Sequence, residues 1–588
     1  EVPNTTGGNT GMAQMLVTPI ASRYANQIPN VCGAGVAAPC RVDFLGGPNA
    51  INNTRDPAPT PTAVWSIWSG FFDDSWKVTS ALTVNLGLRY DVVRNSDAPD
   101  GRGANFLMEP TPTYFLAKDQ CDTPLSRLFL NQLASNGIAL GCHPSNNLIQ
   151  SPKNMIAPRA GIAYNFDDKW VVRAGGGVFY QTSYRSNILG NLRQYPFEYN
   201  LRLTNFSPGE PIVYADGSFA TFESGIGPIG IQDATTFNPR NMGLSGTPSP
   251  WKMPYSMQYN VTVQRQLTSS QTASVGYVGS QSREGVLSYD YNSARVLAPP
   301  GLSAASFRQF PDFAGVTQTM SGAKGEYNSL QLTYDKRFAG GYTTKVNYTL
   351  QKCRSQARQP LTGGDVGGHR NLFVLGPDWA LCNTDAPHLF SMNGTFPIPL
   401  GSGERFFGNA SGIVNGLIGG WRVNVIAIAQ SGNPITIGCP VATSTGSGCN
   451  AILTGEPLYP ENRTFLNWLN PAAFANPPAA TTLGQTDFAP FGGEATQARG
   501  PNYRRIDLSL FKDFPITGGQ RFEFRLEVFN LTDTPNFSSP GFSAGTAGLQ
   551  PPPGVRDFTN TANFGRITSL RNGQNDQRQI QLALKYYF

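Results

Sequence analysis

The sequence predicts an all-β fold: antiparallel strands arranged as a transmembrane β-barrel, with short turns on one side of the membrane and long loops on the other. Three observations predict it. Apolar residues recur at every second position over segments of about 9–14 residues, a length that suits tilted strands crossing a bilayer. The connections between segments alternate between very short and very long, the asymmetry of periplasmic turns and extracellular loops. Charged residues make up 14% of the chain and hydrophobic residues 40%. An ordinary soluble domain carries about 25% charge, so this chain is short of charge without being rich in aliphatics.

The first segments form a hairpin. An aromatic-rich run, residues 64–78, contains Trp65, Trp68, Phe71, Phe72 and Trp76. A turn at Thr79 and Ser80 leads into strict alternation, with Leu82, Val84, Leu86, Leu88 and Tyr90 on one face and Thr83, Asn85, Gly87, Arg89 and Asp91 on the other. Ala160, Ile162, Tyr164 and Phe166 follow, turn at Asp167 and Asp168, and continue as Trp170, Val172, Ala174 and Val178. Tyr255, Met257, Tyr259, Val261 and Val263 turn near residues 268–270 into Ala273, Val275 and Tyr277. Leu330, Leu332 and Tyr334 turn at residues 339–341 into Tyr342, Val346, Tyr348 and Leu350. Phe390, Met392 and Phe396 come next, then a turn near residues 415–420, then Trp421, Val423, Val425, Ala427 and Ala429. The last block reads Ile506, Leu508, Leu510 and Phe514; a turn at residues 517–519; Phe522, Phe524, Leu526 and Val528; a segment at residues 564–570; and Ile580, Leu582, Leu584, Tyr586 and Phe588. The total is about 14–16 strands.

Residues 62–588 are assigned to the barrel and residues 1–61 to an N-terminal loop or partial barrel segment. The expected long loops, residues 92–154, 181–252, 282–326, 351–386 and 432–503, are rich in Pro, Gly, Asn and Ser. A soluble domain rarely carries several unstructured loops beyond about 15 residues. No stretch is apolar enough for a membrane helix; the nearest, residues 412–429, is broken by Asn415, Arg422 and Asn424. A chain in a membrane must therefore span it with strands that satisfy one another.

Alternation alone does not say which face meets water. Aromatics cluster near strand ends (Trp65, Trp76, Trp170, Tyr180, Tyr255, Trp421), as interfacial girdles require. Charges such as Arg89, Arg173, Glu523, Arg525 and Glu527 sit mid-strand on the polar face, which suits a wet lumen and not a packed core. The apolar set is thus expected to face lipid. The ending at Phe588, preceded by alternating Ile580, Leu582, Leu584 and Tyr586, is similar to the C-terminal signal that the barrel assembly machinery reads.

Eight cysteines fall into local pairs within loops: Cys32 and Cys40, Cys121 and Cys142, Cys353 and Cys382, Cys439 and Cys449. Even number and an extracytoplasmic setting favour disulfides over a metal site, since no pair has C-x-x-C spacing and there are only three histidines. Connectivity is not fixed by sequence.

Several stretches together resemble the large TonB-dependent receptors of the Oar-like type, with a carboxypeptidase-regulatory-like domain. They are GFFDDSWKVTSALTVNLGLRYD (residues 70–91), APRAGIAYNF (157–166), GGWRVNVIAIAQSGNPITI (419–437), FRLEVFNLTDTPNF (524–537) and RQIQLALKYYF (578–588). The resemblance implies a signal peptide, a β-sandwich, a plug and a barrel of about 22 strands. On that basis Glu1 is expected to be an internal cut, and the segment that engages TonB lies upstream of it.

The implied function is TonB-dependent uptake of an unidentified solute across the outer membrane. The alternatives are a passive porin and a structural or adhesive surface barrel. Expected partners are outer-membrane lipid, the barrel assembly machinery, TonB and a solute. A mild net charge of +6 with scattered Lys and Arg gives no argument for nucleic acid. No enzyme, cofactor or metal is expected. The GGDVGGH stretch (residues 363–369) lacks the Lys-Ser/Thr ending of a phosphate loop, no nucleophile elbow occurs, and Asp73 with Asp74 fits a strand end better than a cation pair. Loop aromatics Trp251, Trp379 and Trp468 suit ligand stacking too weakly to be named as sites.

Overall fold

A computed structural model describes residues 64–181 apart from 151, then 242–292, 304–337, 342–356, 379–435, 451–475, 498–540, 564–571 and 577–588, with shorter pieces at 43–44, 51–55, 191–192, 194–197, 199–203, 210–211 and 437. Thirteen strands form one antiparallel meander. They are β1 (Val64–Lys77), β2 (Leu82–Asp97), β3 (Met155–Asn165), β4 (Trp170–Tyr180), β5 (Tyr255–Thr268), β6 (Gln271–Asp290), β7 (Val316–Arg337), β8 (Thr343–Ser355), β9 (His388–Pro397), β10 (Trp421–Gln430), β11 (Tyr503–Pro515), β12 (Arg521–Phe529) and β13 (Gln579–Tyr587). Each pairs with its sequence neighbours. Two short strands join the side of the meander, Leu244–Gly246 on β7 and Ala380–Leu381 on β8, for fifteen in the sheet. Among the described residues, the outer edges of β1 and β13 have no partner strand.

The register turns the sequence alternation into two continuous faces, because side chains of period two stay in phase across every pairing. One rung runs Leu82, Tyr164, Val172, Val263, Val275, Leu332, Tyr348, Phe390 and Ala429. Another continues Val425, Leu508, Val528 and Ile580. These apolar side chains are exposed: Leu86 by 53%, Leu88 by 50% and Ile580 by 66%. Their polar neighbours on the opposite face include buried Asp91 and Ser329. A protein dissolved in water would bury the first set and expose the second, so the expected lipid-facing belt is present.

The short turns form as expected at residues 79–81, 167–169 and 268–270. Thr79 Oγ1 accepts from the amides of Ala81 and Leu82, and Asp167 Oδ1 accepts from those of Lys169 and Trp170. Gly518 and Gly519 take φ of 75° and 81°, a region costly for other residues, and so allow the turn before β12. The expected turn at residues 339–341 lies outside the described residues.

Four expectations are corrected. First, the strands outlast the alternating apolar run: β2 reaches Asp97, β6 reaches Asp290 and β7 begins at Val316, all inside expected loops. Beyond the belt these strands bury Val93, Val286, Leu287 and Ala323 against folded loop segments, so the apolar pattern changes although pairing continues. Second, residues 564–570 are not a strand; Phe564 and Ile567 are buried in loop structure, and β12 pairs directly with β13. Third, the connection at residues 398–420 is no tight turn but holds a short helix, Gly412–Ile418. Fourth, the described parts of the long loops are folded. Residues 98–154 contain a three-stranded sheet, Ala104–Leu107, Thr113–Leu116 and Ala139–Cys142, with helix α1 (Arg127–Ser135) packed beside it. The helix at Gly412–Ile418 is α2.

Candidate functional site: the polar wall and its folded caps

The polar face of the meander carries paired charges. Near the short-turn end Arg422 Nη2 lies 2.9 Å from Asp513 Oδ2 and 3.3 Å from Glu523 Oε2. Glu523 also pairs with Arg525, and the Tyr587 hydroxyl donates to it at 3.3 Å. Higher on the wall Arg89 pairs with Asp91 at 2.9 Å and donates to Ser69, while Arg505 pairs with Asp507 at 2.9 Å. Arg173 donates to Gln264 across β4 and β5 at 2.8 Å. The expected mid-strand charges Arg89, Arg173, Glu523 and Arg525 are therefore brought onto one face, mostly with partners. Lone charges on such a wall would attract counter-ions; pairs leave a hydrogen-bonding surface with little net field.

The long-loop end carries two caps with buried apolar cores. In the first, Phe106, Tyr114, Phe129, Tyr195, Phe310 and Phe313 pack together from three inter-strand connections. Several buried polar groups are satisfied within it. The Asn105 amide accepts from Thr247 N at 2.8 Å and donates to Thr247 O at 2.9 Å. Tyr114 donates its hydroxyl to Tyr195 O, and burial followed by the neighbouring Tyr195 pushes its pKa well above the ordinary tyrosine value. In the second, Ile435, Leu469, Phe474 and Phe564 form a core over β9–β13.

Two of the expected disulfides form, Cys121–Cys142 with Cα atoms 5.5 Å apart and Cys353–Cys382 at 5.4 Å. Cys32, Cys40, Cys439 and Cys449 lie outside the described residues, as does the GGDVGGH stretch. Asp73 and Asp74 are adjacent in β1 and so point to opposite faces. Trp251 is buried in the core beneath the first cap, and Trp468 packs on the second with Nε1 donating to Arg499 O. Neither is free to stack on a ligand. Trp379 is half-buried. Among the described residues, no three His, Cys, Asp or Glu side chains gather as a metal site.

Sequence reading missed the cap residues. Asp385 is 1% exposed, accepts from Cys353 N at 2.7 Å and holds Arg499 at 2.5 Å. The only local cue was a charge amid Pro, Asn and Cys. The residues expected as the assembly signal, Ile580, Leu582, Leu584, Tyr586 and Phe588, are exposed on and just beyond β13, with Phe588 99% exposed.

A paired-strand wall with an apolar exposed face, a charged opposite face and loops folded at one end defines an outer-membrane β-barrel. The family described as outer membrane beta barrel domain matches residues 37–581, and the chain belongs to it. Its place is the outer membrane, and the polar face is the lumen wall.

Among solved structures, the chain is similar to the FrpB iron transporter from Neisseria meningitidis at 9% identity and a TM-score of 0.37, covering 90% of this chain and 45% of that one. It is similar to the ferric-catecholate import receptor Fiu from E. coli at 11% identity and a TM-score of 0.36, covering 89% and 45%. FpvA of P. aeruginosa bound to heterologous pyoverdines gives 10% and 0.35, covering 81% and 36%. The chain thus spans less than half the length of each of these structures. No curated protein matches.

Proposed function

We propose that this chain is barrel wall from an Oar-like TonB-dependent receptor and that it serves active uptake of a solute. The observation that carries the reading is the pair of folded caps over a charged lumen wall. Caps with buried aromatic cores, disulfides and satisfied amides form a shaped surface at the extracellular mouth. Such a surface suits capture of a particular solute, whereas a passive pore needs only an open mouth. The five sequence stretches that resemble Oar-like receptors support the same reading. Coupling to TonB would come from the plug and coupling segment that the resemblance places before the barrel. The wall contributes binding and passage, and no catalytic step is assigned to it.

In the same reading β13 is the signal for the assembly machinery, because its apolar face and terminal ring are free along the sheet edge. Phe588→Asp in the complete protein is expected to lower the heat-modifiable folded form recovered from outer membranes. Unchanged recovery would remove the role. For transport, the complete protein in a planar bilayer should give no steady conductance, and uptake by cells should stop when TonB is deleted. A steady ohmic current with TonB-independent uptake would make it a passive pore.

A further inference from the structure

The lipid-facing set of β11 runs Ile506, Leu508, Leu510, then Lys512, then Phe514. An ammonium at that position would stand against hydrocarbon near the periplasmic rim, which is unfavourable for a charge. Lys512 is instead 2% exposed. Its Nζ donates to the backbone oxygens of Leu417, at 3.0 Å, and Gly419. The rings of Trp421 and Phe514 lie 5.1 and 5.2 Å from it. Trp421 is opposite Lys512 in the register, and its Nε1 also donates to Leu417 O, at 2.9 Å. The end of α2 is therefore pinned to the outside of the wall, on the lipid-facing side.

The rest of the 398–420 connection follows from that anchor. Asn415 faces inward, its Oδ1 accepting from Ser402 N at 2.7 Å. The other side of α2 presents Ile413 at 83% exposure, Val414 at 56% and Leu417 at 63%, and the preceding bend presents Phe406 at 51% and Phe407 at 69%. Five large apolar side chains this exposed are unfavourable in water. At the boundary between headgroups and acyl chains they are at home, as in helices that lie in the membrane interface.

We propose that residues 404–418 are an interfacial anchor seated in the periplasmic leaflet of the outer membrane, with phospholipid as the partner. Continuity decides the occupant: the patch is joined through Lys512, Trp421 and Phe514 to the belt that already faces lipid. Lys512 has two tasks in this arrangement. It ties down the carbonyl end of α2, and the tie conceals its own charge from the bilayer. The segment fixes the depth of β9–β11, the part of the wall whose periplasmic connection is long instead of tight.

The test places Ile413→Trp, and separately Phe407→Trp, in the complete protein, reconstituted in phosphatidylethanolamine–phosphatidylglycerol vesicles with or without phosphatidylcholine brominated along its acyl chains. Folding is checked by heat-modifiable mobility, and the wild-type emission is subtracted. The added fluorescence is expected to be blue-shifted and to fall roughly twofold with the brominated lipid. Adding Lys512→Gln to Phe407→Trp should reduce that quenching while folded mobility is retained. Red-shifted emission without quenching overturns the proposal. So does blue-shifted emission that brominated lipid leaves unchanged, because the patch would then be covered by a second copy or another protein.

Discussion

Arg499 and Asp385, 114 residues apart in sequence, are joined twice: Arg499 Nη2 lies 2.5 Å from Asp385 Oδ2, and Arg499 Nη1 donates to the backbone oxygen of Asp385 at 2.7 Å. Arg499 Nη1 also donates to Gly432 O at 3.1 Å, and Asp385 Oδ1 accepts from Cys353 N. One ion pair thus fastens the second cap to the β8–β9 connection beside a disulfide. Asp385 is buried, so removing its carboxylate leaves Arg499 without its counter-ion and Cys353 N without its acceptor. Asp385→Ala is expected to cost about 3 kcal/mol of cap stability. Hydrogen exchange should rise at residues 379–387 and 498–502 with the wall strands unchanged; unchanged protection in both segments would show that the pair does not hold the cap.

Reduction of the disulfides should loosen the caps and leave the wall intact. Cys121–Cys142 and Cys353–Cys382 close separations of 21 and 29 residues, worth about 3 kcal/mol each on the loop-closure argument. Limited proteolysis with and without reductant should show new cleavage within residues 98–154 and 351–386 and none within the belt.

A single added methyl should disrupt the first cap. A Cβ on Gly246 would lie 1.7 Å from the backbone oxygen of Phe106, a backbone clash that no rotamer relieves. Gly246→Ala is expected to cost about 1–3 kcal/mol by overpacking and to break the Asn105–Thr247 amide pair beside it. Thermal melting of the cap, followed by cleavage at residues 98–154, reads the loss.

Acid should weaken the start of the first cap. Burial raises the Asp100 pKa, but the hydrogen bonds and charge of Arg102 outweigh it and hold the carboxyl below its usual range. A group whose folded pKa is depressed contributes stability that is full above its unfolded value and is lost as pH falls through the folded one. Protection from exchange near residues 98–103, taken relative to the intrinsic rate at each pH, should therefore fall as pH drops below the ordinary aspartate range. Arg102→Met should flatten that dependence.

The wall was legible in the sequence because lipid on one side and water on the other impose a period of two. Leu82 to Tyr90 or Phe522 to Val528 can hardly be read otherwise. The caps were not legible. Their cores come from residues such as Phe106, Tyr195, Leu244 and Phe310, drawn from three different connections and scattered among Pro, Gly and Asn, and packing brings them together without any local period. The α2 connection was hidden for a related reason: its Ile413, Val414 and Leu417 fall beside Gly412 and Gly416 and read as a turn. Nothing local to Lys512 shows that a helix end covers it.

The face assignment carries all else, and paired arginine substitutions on β7 test it most directly. Leu330 sits on the apolar belt between Tyr277 and Leu350, and Gln331 sits on the polar face between Gly276 and Thr349. Urea titration of the complete protein folded into vesicles should place Leu330→Arg about 2–4 kcal/mol below wild type. Gln331→Arg should stay near the wild-type value. A large loss at Gln331 with little change at Leu330 would mean that the apolar set faces inward, and would contradict the assignment.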